Sequence, residues 1–179
     1  MRAFRTSALA VFALIAASCS AEPGAAQQTG AEATSTSEIA LSADDEAAIF
    51  TAAGFTRVGD QWQACDLTDT PSYTPGSIEW TRDLNGDGLP EVLVMEGSAI
   101  CFGMTGASYA IVSKQSDDGW KLITGGIGLI ETLDATGKDG WPDLQIGGPG
   151  FCFPVHRWNG TEYDVDRFQY EGKPCKPPY

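Results

Sequence analysis

Oxygen-bearing side chains alternate along the segment from Asp83 to Glu91. The oxygens that could bind a metal ion there belong to Asp83, Asn85, Asp87, Glu91 and the backbone carbonyl of Leu89. Gly88, at the sixth position, allows the positive φ that a tight reversal often needs. Calcium takes six to eight oxygen ligands, and three carboxylates balance its charge with one to spare. The segment predicts a calcium site, with Ca²⁺ as the cofactor, and a plain hairpin turn with a solvated acidic face is the alternative.

A second acidic segment, further along the chain, repeats part of this pattern with one extra residue. Its candidate ligands are Asp134, Thr136, Asp139 and Asp143. Lys138 stands among them, and an ammonium inside a loop could partly replace a metal charge. Each acidic segment is followed by an apolar strand, a glycine-rich stretch and a Cys-Phe pair. This shared order predicts a duplication, with repeat units at about residues 77–124 and 129–165.

The first acidic segment differs from an EF-hand, which needs a glutamate at position twelve and flanking helices. Position twelve is Val94, and the run from Glu91 to Met95 is β-branched and apolar, which predicts a strand. The segment therefore resembles the strand-associated calcium loops of FG-GAP and VCBS repeats, found in integrin-type propellers and many bacterial surface proteins. The resemblance implies calcium stabilisation and a binding surface, and it implies no reaction. A full propeller needs at least four blades of four strands, for which this chain is too short.

Local signals predict one short helix followed by many short strands. Ser42 can cap a helix over Ala43 to Ala53, and Gly54 can end it. Gly59-Asp60 and Asn159-Gly160 are typical of the tight turns in β-hairpins. The expected strands are 55–58, 61–64, 77–81, 91–95, 109–114, 120–124, 129–133, 144–147, 155–158 and 161–165, with a loop over 66–76. The expected fold class is mainly β (α+β), with a short N-terminal helix followed by two β-hairpin-rich repeat units with calcium-type loops.

The N-terminus predicts export. Two arginines precede an apolar stretch within residues 1–18, and this stretch is too short to be a permanent membrane helix. Small residues then precede Cys19, which resembles a bacterial lipobox, although that pattern prefers Leu, Val or Ile where Ala16 stands. The resemblance implies a lipid on Cys19 as the only membrane attachment, in the outer membrane and facing the periplasm or the surface. Cleavage after Ala21 or Ala26, which would leave a secreted or periplasmic soluble protein, is the alternative.

The composition changes again after this signal. Residues 19–38 are rich in small and polar residues without apolar periodicity, which is typical of a flexible tether. Residues 39–179 are expected to form a single β-rich domain. Four cysteines remain there, an even number that suits disulfides in an oxidising compartment. They are Cys65, Cys101, Cys152 and Cys175. The pairing Cys65–Cys101 with Cys152–Cys175 is favoured, and Cys101–Cys152 is its main rival.

The net charge of the chain and its remaining reactive side chains reduce the number of plausible functions. The chain has 11 basic and 24 acidic residues, and loss of the two signal arginines leaves nine basic, or a net charge of −15. This charge argues against nucleic acid and against anionic membrane surfaces as partners.

The sequence contains a single histidine, His156. Because it contains no Gly-x-Ser-x-Gly motif that would supply a nucleophilic serine, His156 is expected to be structural or on the surface. Most tryptophans should pack in the core, and Trp141, beside the second acidic segment, is the one that could face a ligand.

Together these signals predict a calcium-binding, exported envelope lipoprotein that acts as a binding or structural module without catalytic residues. Its partner would be an unknown envelope protein or ligand, and the chain would be a monomer. The second hypothesis is a periplasmic inhibitor of a cationic enzyme such as a lysozyme, because the net charge is −15 and small disulfide-bonded acidic periplasmic proteins serve that role; it requires an exposed loop that could plug a cleft. The third is a hydrolase, which requires a pocket that converges on His156 or on paired carboxylates.

Overall fold

The computed structural model describes residues 41–178 of the chain. The predicted signal peptide (1–18), the predicted lipidation of Cys19 and the predicted tether (19–38) all lie outside this range. No helix within the range is both long enough and apolar enough to cross a bilayer. The described residues form mainly β-strands after a short N-terminal helix, so the predicted class is confirmed at that level.

The helix α1 (Ala43–Ala52) begins as predicted, because the Ser42 side chain accepts a hydrogen bond from the Asp45 amide at 3.0 Å. Gly54 follows the helix with a φ of 87°, a left-handed conformation that favours glycine and ends the helix. The next two strands, β1 (Thr56–Val58) and β2 (Gln61–Gln63), pair antiparallel across the predicted Gly59-Asp60 turn.

Two antiparallel sheets follow, and in each the neighbouring strands keep the order of the chain. The first sheet contains β3 (Thr74–Arg82), β4 (Glu91–Gly97), β5 (Ala107–Lys114) and β6 (Trp120–Ile127). The second sheet contains β7 (Leu129–Thr136), β8 (Pro142–Gly147), β9 (Phe153–Trp158), β10 (Tyr163–Tyr170) and β11 (Lys173–Pro174). We call the end of the sheets that carries the connections 83–90, 115–119, 137–141 and 159–162 the loop end.

The core lies on both faces of the first sheet. One face packs against α1 through Ile49, Phe50, Phe55, Val92, Val94, Ala110 and Val112. The other face packs against the second sheet through Leu93, Tyr109, Ile111 and Leu144. Successive side chains of a strand point to opposite faces, so β4 and β5 need apolar residues at nearly every position. Each fully buried aliphatic side chain contributes about 1.5–3 kcal/mol, which makes these two strands the most strongly held part of the fold.

The predicted loop over 66–76 is wrong at its end, because β3 already begins at Thr74. Pro75 is tolerated there, since β3 is an edge strand whose register shifts between Thr74 and Ser77. A side chain at Gly76 would lie 2.5 Å from Phe55 Cε1, so the ring requires glycine at that position. A short helix, α2 (Ala99–Phe102), was not expected within the β4–β5 connection.

The disulfides are Cys65–Cys101 and Cys152–Cys175, with Cα–Cα distances of 6.2 and 5.8 Å. This is the favoured pairing, and the rival Cys101–Cys152 bond is therefore excluded. The first bond ties the segment after β2 to α2, and the second ties the C-terminal segment to the start of β9. Both bonds lie at the end of the sheets opposite the loop end.

Candidate metal site

The first loop, residues 83–91, joins β3 to β4 at the loop end and is organised around the carboxylate of Asp83. That carboxylate accepts hydrogen bonds from the backbone N–H groups of Gly86 at 2.8 Å and Gly88 at 2.9 Å. Both glycines have a positive φ, 78° and 87°, so the reversal predicted at Gly88 is present. The chain thus curls around one acidic side chain without any regular secondary structure.

Asn85 and Asp87 continue the same arrangement. The Asp87 amide donates to Asn85 Oδ1 at 2.9 Å, and the Leu89 amide donates to Asp87 Oδ1 at 2.8 Å. The Asn85 side-chain amide donates to the other oxygen of Asp87 at 3.0 Å. These contacts hold the oxygens of the loop close to its own backbone, and each carboxylate oxygen keeps a further lone pair for another partner.

Glu91, at the start of β4, lies at the base of the first loop and is fully buried. Its carboxylate accepts hydrogen bonds from the Leu84 amide at 2.7 Å and from the Ser113 hydroxyl at 2.8 Å. The pKa of Glu91 is raised to about 7, chiefly by burial and also by the charges of Asp87 and Asp83, while the two hydrogen bonds act in the opposite direction. Within residues 41–178, no lysine or arginine forms an ion pair with this carboxylate.

The five predicted ligands of the first loop are therefore neighbours in one short segment, but their side chains are not gathered at a single point. Among the described residues, no group of three or more acidic, histidine or cysteine side chains has the spacing of a metal site. The loop brings Asp83, Asn85 and Asp87 together through backbone hydrogen bonds, with Glu91 beneath them. A cation that prefers oxygen ligands would bind here only if these side chains moved toward a common point.

The second loop, residues 134–143, neutralises its buried carboxylate in a different way. Asp143 is fully buried and receives two hydrogen bonds from Arg157, from Nε and Nη2, each at 2.8 Å. Arg167 Nη1 adds a third bond at 2.6 Å. Burial opposes ionisation, but the bonds from the two arginines outweigh it and lower the pKa of Asp143. The site predicted at Asp134, Thr136, Asp139 and Asp143 stays a prediction, and Asp143 already has two cationic partners.

Sequence reasoning did not find these two arginines. Arg157 stands on β9 and Arg167 on β10, and both face Asp143 only because of the register between the strands. That register shifts between Val165 and Arg167, which no local pattern in the sequence indicates. The acidic residue itself was a visible signal, since a buried carboxylate needs a partner wherever it lies.

The two loops touch each other. Gly140, with a φ of 76°, lies so close to the Asn85 carbonyl that a side chain there would collide with it. Beside this contact, a cleft of about 420 Å³ opens between the two sheets, and side chains of both loops line it. His156 is not among the residues that line this cleft. The hydrolase hypothesis at His156 stays a prediction.

Comparison of the chain with protein-family models finds no match, and comparisons with curated proteins and with solved structures find none either.

Proposed function

We propose that this protein is an exported envelope protein whose first loop binds one calcium ion. Glu91 supports the ion most directly, because it is a fully buried carboxylate without an ion pair in residues 41–178. A buried charge without a counter-charge lowers the stability of the fold, so the group either takes up a proton or attracts a cation. A calcium ion bound between Glu91 and the acidic side chains above it would remove that cost.

The second half of the domain contains a buried carboxylate, Asp143, with which Glu91 can be compared. We infer that β3–β6 and β7–β10 are duplicated units, since both are four-stranded meanders with an acidic loop between their first two strands. Glu91 and Asp143 then occupy corresponding positions, each directly after a proline at the start of the second strand. Two arginines neutralise Asp143, and in the first unit a metal ion would take their place.

The proposed ligands are the side chains of Asp83, Asn85, Asp87 and Glu91 and the carbonyl of Leu89. Asp83, Asp87 and Glu91 supply three negative charges, and oxygen donors of this kind suit calcium. The proposal requires the loop to contract on binding, so that these oxygens leave part of their backbone bonds and meet around the ion. Calcium would then link the loop to β4 and hold the surface that the loop end presents to an unknown envelope protein or ligand.

Export and lipidation are part of the same proposal. The basic start, the apolar stretch and Cys19 support them, and two disulfides suit an oxidising compartment. Expression with a labelled fatty acid tests the anchor. When the whole sequence is expressed, we expect label on the mature protein and its recovery with outer membranes, and neither for Cys19→Ser. Unlabelled wild-type protein would refute the lipid anchor and leave the calcium proposal intact.

Calorimetric titration of the disulfide-bonded protein with calcium tests the site. Asp87→Asn keeps the shape of the side chain and removes one ligand charge, and Asp117→Asn is the matched control. Asp117 also accepts a turn amide, from Gly119 at 3.1 Å, but it lies in the neighbouring β5–β6 connection. We expect one ion per chain, an affinity at least tenfold weaker in Asp87→Asn and an unchanged affinity in the control. No binding by the wild type, or equal binding by Asp87→Asn, refutes the site.

A second candidate function is inhibition of a cationic enzyme such as a lysozyme, and the end opposite the loop end favours it. Large apolar side chains stand exposed there in two connections, Ile100 at 59%, Met104 at 89% and Phe151 at 75%. The disulfides anchor both connections, and a rigid apolar projection on an acidic protein fits a basic cleft. We expect inhibition that Met104→Asp abolishes, and a lack of inhibition at micromolar protein would remove this candidate.

A further inference from the structure

The end of the sheets opposite the loop end exposes large apolar side chains in three connections. We call these connections, residues 98–106, 127–129 and 148–152, the apolar end. Its exposed side chains, each more than half accessible to solvent, are Ile100, Met104, Ile127, Leu129 and Phe151. The three connections contain no charged residue, whereas the four connections of the loop end contain five aspartates, one glutamate and one lysine. The two ends of this acidic domain therefore differ sharply in character.

The three connections of the apolar end are neighbours in space. The Gly128 amide donates a hydrogen bond to the Ala107 carbonyl at 3.1 Å, which places the second connection beside the end of the first. A side chain at Gly148 would lie 3.5 Å from Thr105 Oγ1, so the third connection lies against the first as well. Each of the two longer connections is also anchored by a disulfide. The exposed apolar side chains therefore stand together on one fixed surface.

The shape of the apolar end favours a lipid bilayer over a protein as its partner. Met104 and Phe151, the two most exposed of its side chains, lie in separate glycine-containing connections, so each projects by itself. A rigid protein would need a matching pocket for each projection, whereas acyl chains close around any apolar side chain. Charged side chains are costly at that depth in a bilayer, which fits connections without charge.

Two neighbouring segments carry the charges closest to the apolar end. Residues 65–73 and 171–178 contain the disulfide partners of Cys101 and Cys152. Their exposed charged residues are Asp66, Asp69, Glu171, Lys173 and Lys176. Both signs are present, and a zwitterionic headgroup likewise carries a phosphate and an ammonium group. The acidic net charge of the whole chain opposes anionic lipids, so these charges favour a zwitterionic headgroup.

The chain that precedes the described residues is long enough for the apolar end to face a bilayer. The Asp45 carboxylate pairs with Lys114 Nζ at 2.9 Å, so α1 begins beside the loop end. From there to the apolar end β5 has eight residues and spans about 26 Å. Leu41 follows Cys19 by 22 residues, and a flexible tether of that length has a root-mean-square span of about 25 Å. A lipid on Cys19 would therefore permit this orientation.

We propose that the apolar end docks on a zwitterionic bilayer, with Met104 and Phe151 inserted among the acyl chains. This contact adds to the proposed lipid on Cys19, and it rests on that anchor to hold the domain near the membrane surface. Docking in this way directs the loop end, with its two acidic loops, away from the membrane. The calcium ion proposed for the first loop takes no part in it.

The test attaches the chain from Cys19 onward to phosphatidylcholine vesicles through the Cys19 thiol and a maleimide lipid. The other four cysteines form the two disulfides, so the reagent is directed to Cys19. Met104→Trp places a fluorescent reporter at the apolar end, and lipids brominated on their acyl chains quench a tryptophan that reaches them. Val58→Trp is the matched control, because Val58 is also exposed, at 54%, but lies in the β1–β2 hairpin. The emission of the native tryptophans is subtracted by measuring the wild type in parallel.

We expect the reporter at position 104 to be quenched about twofold or more relative to the control, both in calcium and in EDTA. Adding Phe151→Asp to the Met104→Trp protein should lower its quenching to that of Val58→Trp, because a charge opposes insertion. Equal quenching of the two reporters, or quenching at 104 that Phe151→Asp leaves unchanged, would overturn the inference.

Two further measurements separate this inference from the proposals it accompanies. An unquenched reporter at 104, together with lysozyme inhibition that Met104→Asp abolishes, would show that the apolar end binds a protein and would overturn docking on lipid. Because the vesicle anchor is attached chemically, a negative result in the quenching test is distinct from a failure of fatty-acid labelling, which tests the lipid on Cys19 alone.

Discussion

The proton affinity of Glu91 gives the sharpest test of the first loop. Its pKa lies at about 7 in the folded protein, against 4.5 for an unperturbed glutamate, mainly because of burial and then because of Asp87 and Asp83. Between these two pH values the folded chain keeps a proton that the unfolded chain has released. The free energy of unfolding must therefore fall as the pH rises from about 4.5 to about 7 in calcium-free solution. A shift of this size corresponds to about 3 kcal/mol.

Glu91→Gln removes this titration and keeps the size of the side chain. The Gln side-chain oxygen can still accept from the Leu84 amide, and the Ser113 hydroxyl can accept from the new amide group. In EDTA we expect the two proteins to be similarly stable at pH 5 and the variant to be about 3 kcal/mol more stable at pH 8. In a domain of this size the difference corresponds to roughly 6–12 °C in Tm.

The assay is urea unfolding of both proteins from pH 4.5 to pH 8, followed by tryptophan fluorescence, with EDTA and with saturating calcium. The Gln variant retains the pH dependence that all other groups contribute. The difference between the two curves of unfolding free energy against pH therefore measures the contribution of Glu91. Calcium should raise the free energy of unfolding of the wild type at pH 8 and change that of the variant little. Parallel curves in EDTA over this pH range would refute the reasoning, because Glu91 would then not be a buried carboxylate that lacks a counter-charge.

Three further changes probe the rest of the domain. Asp143→Ala leaves two arginines without their partner and should lower the free energy of unfolding by about 2–3 kcal/mol, measured by urea unfolding, and a loss below about 0.5 kcal/mol would contradict the ion-pair account. Gly140→Ala should separate the two loops, because the new methyl meets the Asn85 carbonyl, and a thermal shift within error of the wild type would exclude that contact. Reduction of both disulfides should lower the free energy of unfolding by about 3–4 kcal/mol for each disulfide-closed loop that is released. An unchanged urea midpoint after reduction would argue against this contribution of the disulfides.

Local chemistry in the sequence predicted the elements whose causes are local. Ser42 and Gly54 fix the ends of the helix through a cap and a left-handed residue, and both act within a few positions. The turn at Asn159-Gly160 is stabilised within itself, because the Asn159 side chain accepts from the Thr161 amide at 2.9 Å. The apolar run after Glu91 identified a strand, since it fits a strand that is buried on both faces.

Features that depend on distant residues were not predictable in this way. The start of β3 includes Pro75 and Gly76, which locally indicate a loop and are accepted only because the strand lies at an edge beside Phe55. The partners of Asp143 come from two other strands, across a register shift. The candidate site was found from spacing alone, whereas its most informative property, the burial of Glu91 without an ion pair, appears only when the sheet is assembled.

The proposed duplication, in which Glu91 and Asp143 correspond, also predicts how the domain would respond to removal of the proposed calcium ion. In the second unit the compensating charge is covalently part of the chain, so that unit needs no ion to neutralise its buried acid. In the first unit the uncompensated charge stands at the start of β4, whose following residues form the core on both faces. A cost of about 3 kcal/mol is small beside the summed burial of those residues. Loss of the ion should therefore loosen the first loop and its contact at Gly140, while the strands behind it stay folded.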